Sequence, residues 1–313
     1  VFLVDGDIIG RGEAAPSSRY QESISQIETI LKKGITLPED LSSKDKIWEH
    51  ISSQVSGIVS LKAAFNMAIW DWWGKKQKLP LHALLKTNVE ITPYTSFTIA
   101  IGDLDEIGEK VEQAEPYRIL KVKLGTPNHD KEIMNEIRRH TDKLIRVDAN
   151  EGWHLENAIS FSKWLADQNV ELIEQPFPSD KLNQTAKLKK ASPLEIYADE
   201  NSIKSSDINH ISHAFDGINI KLMKCGSLDE AKRMIEVAKV YKLKIMMGCM
   251  VESSVSITAA AHLSGHVDKV DLDGNLLIEN DPYSGLKVIN GKLVLPDGYG
   301  SGTNILIHNP ELL

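Results

Sequence analysis

Apolar positions in the first part of the chain follow first a strand pattern and then a helical one. Two short apolar runs flank Asp5-Gly6-Asp7, and an Asp-Gly pair in that setting predicts a β-hairpin. Ser18 is the predicted cap of a first helix, which carries apolar residues at helical spacing and ends near Gly34. Two more helical patterns follow, over residues 45–55 and 61–73. This part of the chain is therefore expected to form a small α+β unit.

After Pro93 the pattern changes to short apolar runs that alternate with helical segments. Such alternation is typical of parallel strands with crossover helices, and eight repeats favour a barrel of the (β/α)8 type. An open sheet with a switch point remains an alternative, although no Gly-x-Gly-x-x-Gly or Walker-type loop follows any of the runs. The predicted strands cover residues 94–99, 119–124, 144–147, 171–174, 194–198, 217–222, 243–247 and 267–271.

The end of the chain differs again, because no helical pattern follows the eighth strand. Its many glycines predict hairpins and turns that return to the first domain. We therefore expect three parts: an α+β domain over 1–92, a barrel over 93–280 and a C-terminal segment over 281–313. Because Val1 lies inside the first predicted strand, we also expect the N-terminus to be truncated, with further residues upstream.

Composition excludes several classes of protein. The 313 residues are 42% hydrophobic and 26% charged, as in ordinary globular proteins. No apolar stretch approaches the ~20 residues that a membrane span needs. The net charge is -8 and the basic residues are scattered, so we expect neither nucleic acid nor a membrane surface as a partner. With 2 cysteines and no signal segment, a cytoplasmic location is the expectation.

Two lysines lie two positions apart on the second predicted barrel strand. Side chains at that spacing share one face, and the apolar Leu120, Val122 and Leu124 alternate with Lys121 and Lys123, which places the lysines inside the barrel. Two ammonium groups in one cavity repel each other, and burial also disfavours their charge. One of the two is therefore expected to have a lowered pKa and to act as a base near neutral pH. A lone Lys-x-Lys is otherwise typical of an exposed strand edge.

Three carboxylates end the next three strands: Asp148, Glu174 and Asp199. In a barrel of this kind the carboxyl ends of the strands meet at one face, so these side chains should converge. Three converging carboxylates form a hard oxygen site suited to Mg²⁺, which also relieves their mutual repulsion. Asn150 and Glu200 follow two of them and are expected to orient the ligands. Each acid taken singly could equally be an ion-pair partner or a helix cap.

Lys221 ends the sixth strand, on the far side of the barrel from the second. Lysines on opposite walls with a metal ion between them indicate one chemistry. One lysine removes a proton next to a carboxylate, Mg²⁺ holds the enediolate, and the other lysine returns a proton to the opposite face. The result is inversion at a carbon centre. Lys224, three residues on, is expected to lie already in the following loop.

These motifs together resemble the enolase superfamily, in its muconate-lactonizing subgroup. The matching elements are Lys-x-Lys, Asp-x-Asn, Glu-Gln-Pro, Asp-Glu-Asn and the run Asn-Ile-Lys-Leu-Met-Lys over 219–224, and the similarity spans nearly the whole chain. The resemblance implies an α/β fold, a modified TIM barrel of the (β/α)7β type with an N-terminal α+β capping domain. It also implies an isomerase whose acid/base pair is Lys123 and Lys221, with Lys121 adding positive charge at the substrate carboxylate. The implied Mg²⁺ ligands are Asp148, Glu174 and Asp199.

The eighth strand distinguishes the reactions of this subgroup. Asp271 and Asp273 lie on one strand face and form a good receptor for a free α-ammonium group. They resemble the Asp-x-Asp motif of dipeptide epimerases, whereas a solvated acidic turn is the plainer interpretation of these residues. By the same resemblance, Cys249 and Met250 at the end of the seventh strand belong to a loop beside the dipeptide, with the cysteine serving packing or pocket shape.

Two departures from the family pattern are visible. The glycine pair after the sixth strand appears here as Gly226-Ser227, a change that need not affect Lys221. The capping-domain loop that covers the substrate side chain should precede the first visible strand, so the preferred side chains cannot be deduced from this sequence.

We therefore expect a Mg²⁺-dependent dipeptide epimerase that inverts the α-carbon of the C-terminal residue by two-base 1,1-proton transfer. Ala-Glu from cell wall peptide metabolism, Ala-Ala and other hydrophobic dipeptides are the expected substrates, and a homo-oligomer remains open. The alternatives are an N-succinylamino acid racemase, an o-succinylbenzoate synthase or a muconate cycloisomerase of the same subgroup. A non-catalytic barrel that only binds small molecules or proteins is the alternative from a different class, and retention of both lysines argues against it.

Overall fold

The computed structural model describes residues 1–126 and 128–306. The chain begins with an antiparallel hairpin of β1 (Phe2–Asp5) and β2 (Ile8–Arg11), as the Asp-Gly turn predicts. Four helices follow: α1 (Ile24–Lys32), α2 (Lys44–Gln54), α3 (Val59–Gln77) and α4 (Leu81–Leu84). The hairpin lies directly on α3, since a Cβ atom added at Gly12 would stand 1.8 Å from Ala64 O. Only glycine permits this approach of strand to helix.

The cap predicted for the first helix, Ser18, is wrong by five residues. Residues Ser18–Tyr20 form a separate 3₁₀ turn, and Ser17 Oγ accepts a hydrogen bond from Arg19 N at 3.3 Å. Ser23 is the residue that caps α1, by accepting from Gln26 N. Ser18 and Ser23 are both of a residue type that favours the N-cap position, so the spacing of apolar residues alone does not distinguish them.

Eight parallel strands form the central sheet, and every predicted strand is confirmed to within three residues at either end. The strands are β3 (Phe97–Ile99), β4 (Ile119–Lys123), β5 (Leu144–Asp148), β6 (Val170–Glu174), β7 (Glu195–Ala198), β8 (Gly217–Lys221), β9 (Lys244–Gly248) and β10 (Lys269–Asp271). The helices on the outside are α5 (Ile107–Gln113), α6 (Asp130–His140), α7 (Leu155–Ala166), α8 (Leu182–Ala191), α9 (Ser205–Ile211), α10 (Leu222–Cys225), α11 (Leu228–Val240) and α12 (Ser254–Ala261).

The sheet curls into a nearly closed barrel. Strands pair in chain order from β3 to β10, and a single parallel bridge between Thr95 and Val270 joins the two edges. Ser96 N donates to Val270 O across the same seam. Apolar residues from strands and helices fill one continuous core around the barrel. The prediction of a barrel is therefore confirmed, and the open sheet is excluded for this chain.

No α-helix follows β10 in the described residues up to 306, as the (β/α)7β interpretation requires. The remaining strands are short antiparallel pairs: β11 (Tyr283–Ser284) with β14 (Asn304–Ile305), and β12 (Lys287–Ile289) with β13 (Lys292–Val294). The chain then crosses back to α3, where Ser301 N donates to Asp71 Oδ1 at 2.8 Å. Among the described helices, none has the length and apolar character to cross a membrane.

Candidate active site

The polar strand ends lie side by side because of the register of the parallel sheet. Lys123 on β4 is level with Asp148 on β5, which is level with Glu174 on β6. Lys121, two positions before Lys123, is 3% exposed, as expected for a side chain that faces the barrel interior. The strands thus deliver acids and lysines to one ring at the carboxyl end of the barrel.

Three carboxylates converge at this ring. Asp148, Glu174 and Asp199 are 0%, 1% and 2% exposed, and one carboxylate oxygen from each lies within 4.8 Å of the others. Burial, followed by the nearby Asp148 carboxylate, raises the pKa of Glu174 above its ordinary value. Such a cluster of carboxylate oxygens suits a hard divalent cation.

Lys121 lies among these acids. Its Nζ is 2.8 Å from Glu174 Oε2, 2.8 Å from Asp271 Oδ2 and 3.1 Å from Asp148 Oδ2. Burial disfavours the charge of the ammonium group, but the three carboxylates outweigh it and hold the pKa of Lys121 well above its ordinary value. The lowered pKa expected from repulsion between two lysines is therefore wrong for Lys121.

The other two lysines of the predicted set stand on opposite walls. In the barrel order, three strands separate β4 from β8 in either direction. Lys123 Nζ lies 2.8 Å from Asp148 Oδ2, whereas Lys221 Nζ lies 2.7 Å from Asp199 Oδ2. Burial lowers the pKa of Lys221, but Asp199 and Glu174 raise it more, so the net shift is upward. The acid cluster thus lies between two lysines that approach from different sides.

The two acids of β10 have different surroundings. Asp271 accepts from Lys121 at 2.8 Å and from Ser96 Oγ at 2.6 Å. Burial raises the pKa of Asp271, but Lys121 lowers it more, so the net shift is downward. Asp273 Oδ2 accepts from Thr98 N at 2.7 Å, and Asp273 Oδ1 lies 3.9 Å from Cys249 Sγ. Burial together with Asp271 raises the pKa of Asp273 to about 6.

A cavity of about 480 Å³ opens above these groups, within the size range of small-molecule sites. Cys249 and Met250 line it as predicted; Cys249 Sγ donates to Asp271 O at 3.3 Å, and burial raises the pKa of its thiol well above the ordinary value. A protonated, hydrogen-bonded thiol serves packing better than nucleophilic attack. Asn150 and Glu200 also line the cavity.

The structure places both residues expected to orient the acids, and they differ in what they contact. Asn150, at φ +43°, donates its backbone N–H to Asp148 Oδ1 at 3.1 Å. Glu200 is half-buried at the cavity wall, and burial together with Asp199 raises the pKa of its carboxyl to about 8. Within the described residues, Glu200 Oε2 is buried and accepts no hydrogen bond.

Two residues that hold the acids were missed by sequence reasoning. Lys224 is not in a loop: α10 follows β8 without a break, and the Lys224 side chain is 0% exposed. Its Nζ donates to Asp199 Oδ1, to Asp199 O at 2.6 Å and to Asn219 O at 2.9 Å. Asn219 Nδ2 in turn donates to Glu174 Oε1 at 2.7 Å. The inward alternation of Asn219 and Lys221 on β8 was a usable signal for Asn219.

The N-terminal part of the chain also reaches the cavity. Ser17, Arg19 and Tyr20 line it, and Arg19 pairs with Glu151 after β5. Sequence reasoning places the substrate-covering loop of the capping domain upstream of Val1 and misses this contribution from residues after β2. Nothing in the sequence distinguishes this turn from an ordinary connection.

The charges around the cavity do not cancel. Counted as formally ionised groups, six carboxylates (Asp148, Glu174, Asp199, Glu200, Asp271, Asp273) stand with four lysines (Lys121, Lys123, Lys221, Lys224), and Arg19 is offset by Glu151, so these described residues carry a formal excess of two negative charges. Burial is the first cause of the raised pKa values of Glu174, Glu200 and Asp273, and the neighbouring carboxylates raise these pKa values further. A divalent cation at the three converging oxygens would neutralise the formal excess, so these residues fit Mg²⁺.

Comparison with known proteins agrees with this geometry. Residues 105–307 match the family described as "Enolase C-terminal domain-like", and residues 3–86 match "Mandelate racemase / muconate lactonizing enzyme, N-terminal domain". The chain is 39% identical over 299 residues to the L-Ala-D/L-Glu epimerase of Bacteroides thetaiotaomicron, covering 94% of this chain and 78% of that protein. It is 37% identical over 304 residues to the hydrophobic dipeptide epimerase of a Flavobacteria bacterium, covering 94% of this chain and 86% of that protein.

Among solved structures, the chain resembles the dipeptide epimerase of Methylococcus capsulatus complexed with Mg and the dipeptide L-Arg-D-Lys. The TM-score is 0.89 at 27% sequence identity, and the match covers 96% of this chain and 90% of that one.

Proposed function

Because the chain belongs to the enolase superfamily, with the N- and C-terminal domains of the mandelate racemase / muconate lactonizing enzyme family, we propose that it is a Mg²⁺-dependent dipeptide epimerase. That it is an isomerase of this superfamily follows from its curated relatives, which are epimerases. The proposal adds the substrate class, the metal and the residues that carry out the reaction.

One observation carries the proposal: Lys123 and Lys221 approach a common acid cluster from opposite walls. A planar carbon held between two such lysines can lose a proton to one and gain a proton from the other, which inverts its configuration. A pair of bases on one wall would return the proton to the face that it left. The arrangement therefore supports two-base 1,1-proton transfer.

The three buried acids Asp148, Glu174 and Asp199 would hold the metal ion. Bound there, Mg²⁺ supplies positive charge that stabilises the negative charge developing on a substrate carboxylate. Lys121 adds a second cation beside the same position, since its Nζ lies within 3.1 Å of Asp148 and Glu174. Asn150 and Glu200 are proposed to keep the acids in place.

The acids of β10 line the same cavity and are proposed to receive the free amino group of the dipeptide, with Cys249 and Met250 shaping the wall beside it. The pKa of Asp271 is lowered overall, because Lys121 outweighs the effect of burial, whereas burial together with Asp271 raises the pKa of Asp273 to about 6. An anionic N-succinyl group would be repelled there. This argues against an N-succinylamino acid racemase, and equally against o-succinylbenzoate synthase or muconate cycloisomerase activity.

The proposed substrates are Ala-Glu, Ala-Ala and other hydrophobic dipeptides, inverted at the C-terminal residue. Relatives of both kinds are found, namely an L-Ala-D/L-Glu epimerase and a hydrophobic dipeptide epimerase. Arg19 at the cavity wall is a cation that could attract a carboxylate on the substrate side chain, although it already pairs with Glu151. A dipeptide library is therefore required to rank the substrates.

The test uses α-proton exchange in D₂O with Mg²⁺ and both epimers of each dipeptide, read by mass spectrometry. We expect the wild-type enzyme to label the C-terminal residue of either epimer. Lys221→Ala should label one epimer only, Lys123→Ala only the other, and both should lose net epimerisation by at least ~100-fold. Lys110→Ala, which changes a partly buried lysine that lies outside the cavity and pairs with Glu106, is the matched control and should behave as wild type. Full exchange of both epimers by Lys221→Ala would refute the proposal.

Further parts of the proposal concern organisation. We propose a capping domain over 1–92, a barrel over 93–280 and a C-terminal segment over 281–313 that returns to the capping domain, in agreement with the contact between Ser301 and Asp71. A cytoplasmic location, a role in cell wall peptide metabolism and assembly into a homo-oligomer are proposed with it.

A further inference from the structure

The N-terminal segment that lines the cavity is held by a glutamate at each of its ends. We call this segment, residues 13–22, the strap; three of its side chains line the cavity. At one end Glu22, 7% exposed, accepts from Val59 N and, at 3.3 Å, from Ser60 N. These N–H groups open α3, whose N-cap residue Ile58 has no polar side chain. Glu22 therefore ties the strap to the helix on which the β1–β2 hairpin also lies.

At the other end of the strap, Glu13 reaches the barrel. Glu13 Oε1 accepts from Ser253 N at 2.7 Å, and Oε2 accepts from Ser253 Oγ at 2.6 Å and from Ser256 N at 3.2 Å. Between these two residues, Ser254 N donates to Asp281 Oδ2 at 2.7 Å. The first N–H groups of a helix have no partner within the helix, and the helix dipole favours negative charge beside them. Glu13 thus caps α12 from a position 240 residues earlier in the chain.

Among the described residues, two further polar contacts join the strap to the barrel, and both are weaker. Arg19 pairs with Glu151, but the Arg19 side chain is 51% exposed, and water screens such a pair. Ala15 N donates to Met223 Sδ at 3.3 Å, and a thioether is a weak acceptor. Because its carboxylate accepts three hydrogen bonds, Glu13 is the main polar link between the strap and the barrel.

A second wall of the cavity is fixed at the same turn of α12. Met250, which lines the cavity, donates its backbone N–H to Glu252 Oε1 at 2.6 Å, and Glu252 is 3% exposed. Ser256 Oγ donates to Glu252 Oε2, and the backbone N–H of the same serine donates to Glu13. Ser256 therefore connects the strap to the wall that Met250 forms.

We propose that Glu13 is a positioning residue for the reaction: by capping α12 it holds the strap in register with the Met250 wall and so keeps Ser17, Arg19 and Tyr20 at the cavity. Glu13 is not among the described residues that line the cavity, so its effect on the substrate passes through the strap. This inference rests on the proposed function and refines it, since residues 13–22 would otherwise be an ordinary connection between β2 and α1.

Glu13→Gln tests this inference with little change in volume. Glutamine keeps one acceptor oxygen, but its NH₂ group then meets a backbone N–H group of α12, and the negative charge at the helix N-terminus is lost. Asp229→Asn is the matched control. Asp229 Oδ2 accepts from Asn66 Nδ2 at 2.8 Å and from Trp70 Nε1 at 3.0 Å, which joins α11 to α3. Both substitutions therefore weaken a link between the N-terminal part and the barrel, but only Glu13 holds the strap.

Limited trypsin digestion measures how firmly the strap is held, without any substrate. Arg19 is the one lysine or arginine of the strap, and cleavage after it requires the strap to open locally. We expect Glu13→Gln to be cut after Arg19 ~10- to 100-fold faster than the wild type, since hydrogen bonds to a charged group are lost. Asp229→Asn should be cut there at the wild-type rate, with mass spectrometry identifying the site. Equal acceleration in both variants would overturn the inference, because any weakened link would then release the strap.

The kinetic readout is the split between KM and kcat, measured on the Mg²⁺-loaded enzyme with a dipeptide that the wild type epimerises. Glu13→Gln should raise KM ~10-fold and leave kcat within about threefold, because the strap contributes to binding while the acids and lysines of the site are unchanged. Saturating dipeptide should slow the cleavage of Glu13→Gln after Arg19, since it binds the state in which the strap lies at the cavity. If Glu13→Gln fails to fold, Ser253→Ala removes one hydrogen bond to Glu13 and should move both readouts in the same direction by a smaller factor.

The outcomes separate this inference from the proposed function. A wild-type protein that exchanges no α-proton would refute the epimerase, whereas faster cleavage of Glu13→Gln together with weaker calorimetric binding of the dipeptide would still support the role of Glu13. Normal epimerisation by Glu13→Gln with the KM of the wild type would refute the positioning role and leave the epimerase standing. Cleavage of Glu13→Gln after Arg19 at the wild-type rate would also refute it.

Discussion

Lys224→Met tests how far a buried cation that no motif predicted supports the acid cluster. The substitution keeps the approximate length and volume of the side chain but removes the ammonium group. Lys224 is fully buried and donates to Asp199 Oδ1, Asp199 O and Asn219 O. Removal of one partner of a buried ion pair typically costs ~3–5 kcal/mol, because the other charge remains buried and unpaired. Lys221 still contacts Asp199 Oδ2, so we place the expected loss near the lower limit, about 3 kcal/mol.

The assay is urea unfolding at pH 7 with EDTA present, so that only the protein charges contribute. The matched control is Lys110→Met, which breaks an exposed i,i+4 pair with Glu106 and should change the free energy of unfolding by at most ~0.5 kcal/mol. A loss below about 1 kcal/mol for Lys224→Met would mean that Asp199 is not held as the contacts indicate, and the reasoning would be refuted.

Three further predictions concern pH and packing. Burial lowers the pKa of His262, which stacks on His82, to about 4. Because the folded state binds this proton less readily than the unfolded state, the free energy of unfolding should fall by up to ~3 kcal/mol as the pH drops from ~6.5 towards 4. His262→Asn should flatten this decline in urea unfolding curves, and an unchanged slope would contradict it. Burial raises the pKa of Glu252 to about 7. The protonated carboxyl therefore contributes up to ~3 kcal/mol to the free energy of unfolding below pH ~4.5, and this contribution is lost as the pH rises through 7. Glu252→Gln should remove that loss, and equal pH profiles for variant and wild type would refute it. Gly12→Ala should destabilise the protein by ~1–3 kcal/mol in thermal melts, since its Cβ would overlap Ala64 O; an unchanged melting temperature would show that the hairpin can move away from α3.

Much of the fold could be predicted because its signals are local. Each barrel strand is a short apolar run between helical patterns, and the Asp-Gly pair at residues 5 and 6 marks the hairpin of β1 and β2. The errors arise where two local signals compete. Ser18 and Ser23 are both good caps, and only the packing of the chain against its neighbours decides which of them begins a helix.

The acid cluster was predictable for a different reason: parallel strands end at one face, so three acids at strand ends must meet. No such rule predicts the contacts of Lys224 and Ser96. Lys224 reaches Asp199 only because α10 starts directly after β8, and Ser96 reaches Asp271 only because the barrel closes between β3 and β10. Contacts that depend on closure of the barrel join residues far apart in the sequence. The pattern of apolar residues along a single strand therefore does not predict them.

The electrostatic error has the same origin. Considered as a sequence pair, Lys121 and Lys123 are two like charges, and repulsion between them predicts a lowered pKa. In the folded protein Lys121 lies within 3.1 Å of three carboxylates that come from strands β5, β6 and β10, and their attraction exceeds both burial and repulsion. Since the sign of the shift is set by acids that are 27, 53 and 150 residues away in the sequence, it depends on the closed barrel. The same acids raise the pKa of Lys221, and a divalent cation bound at the three converging oxygens would oppose their attraction for both lysines.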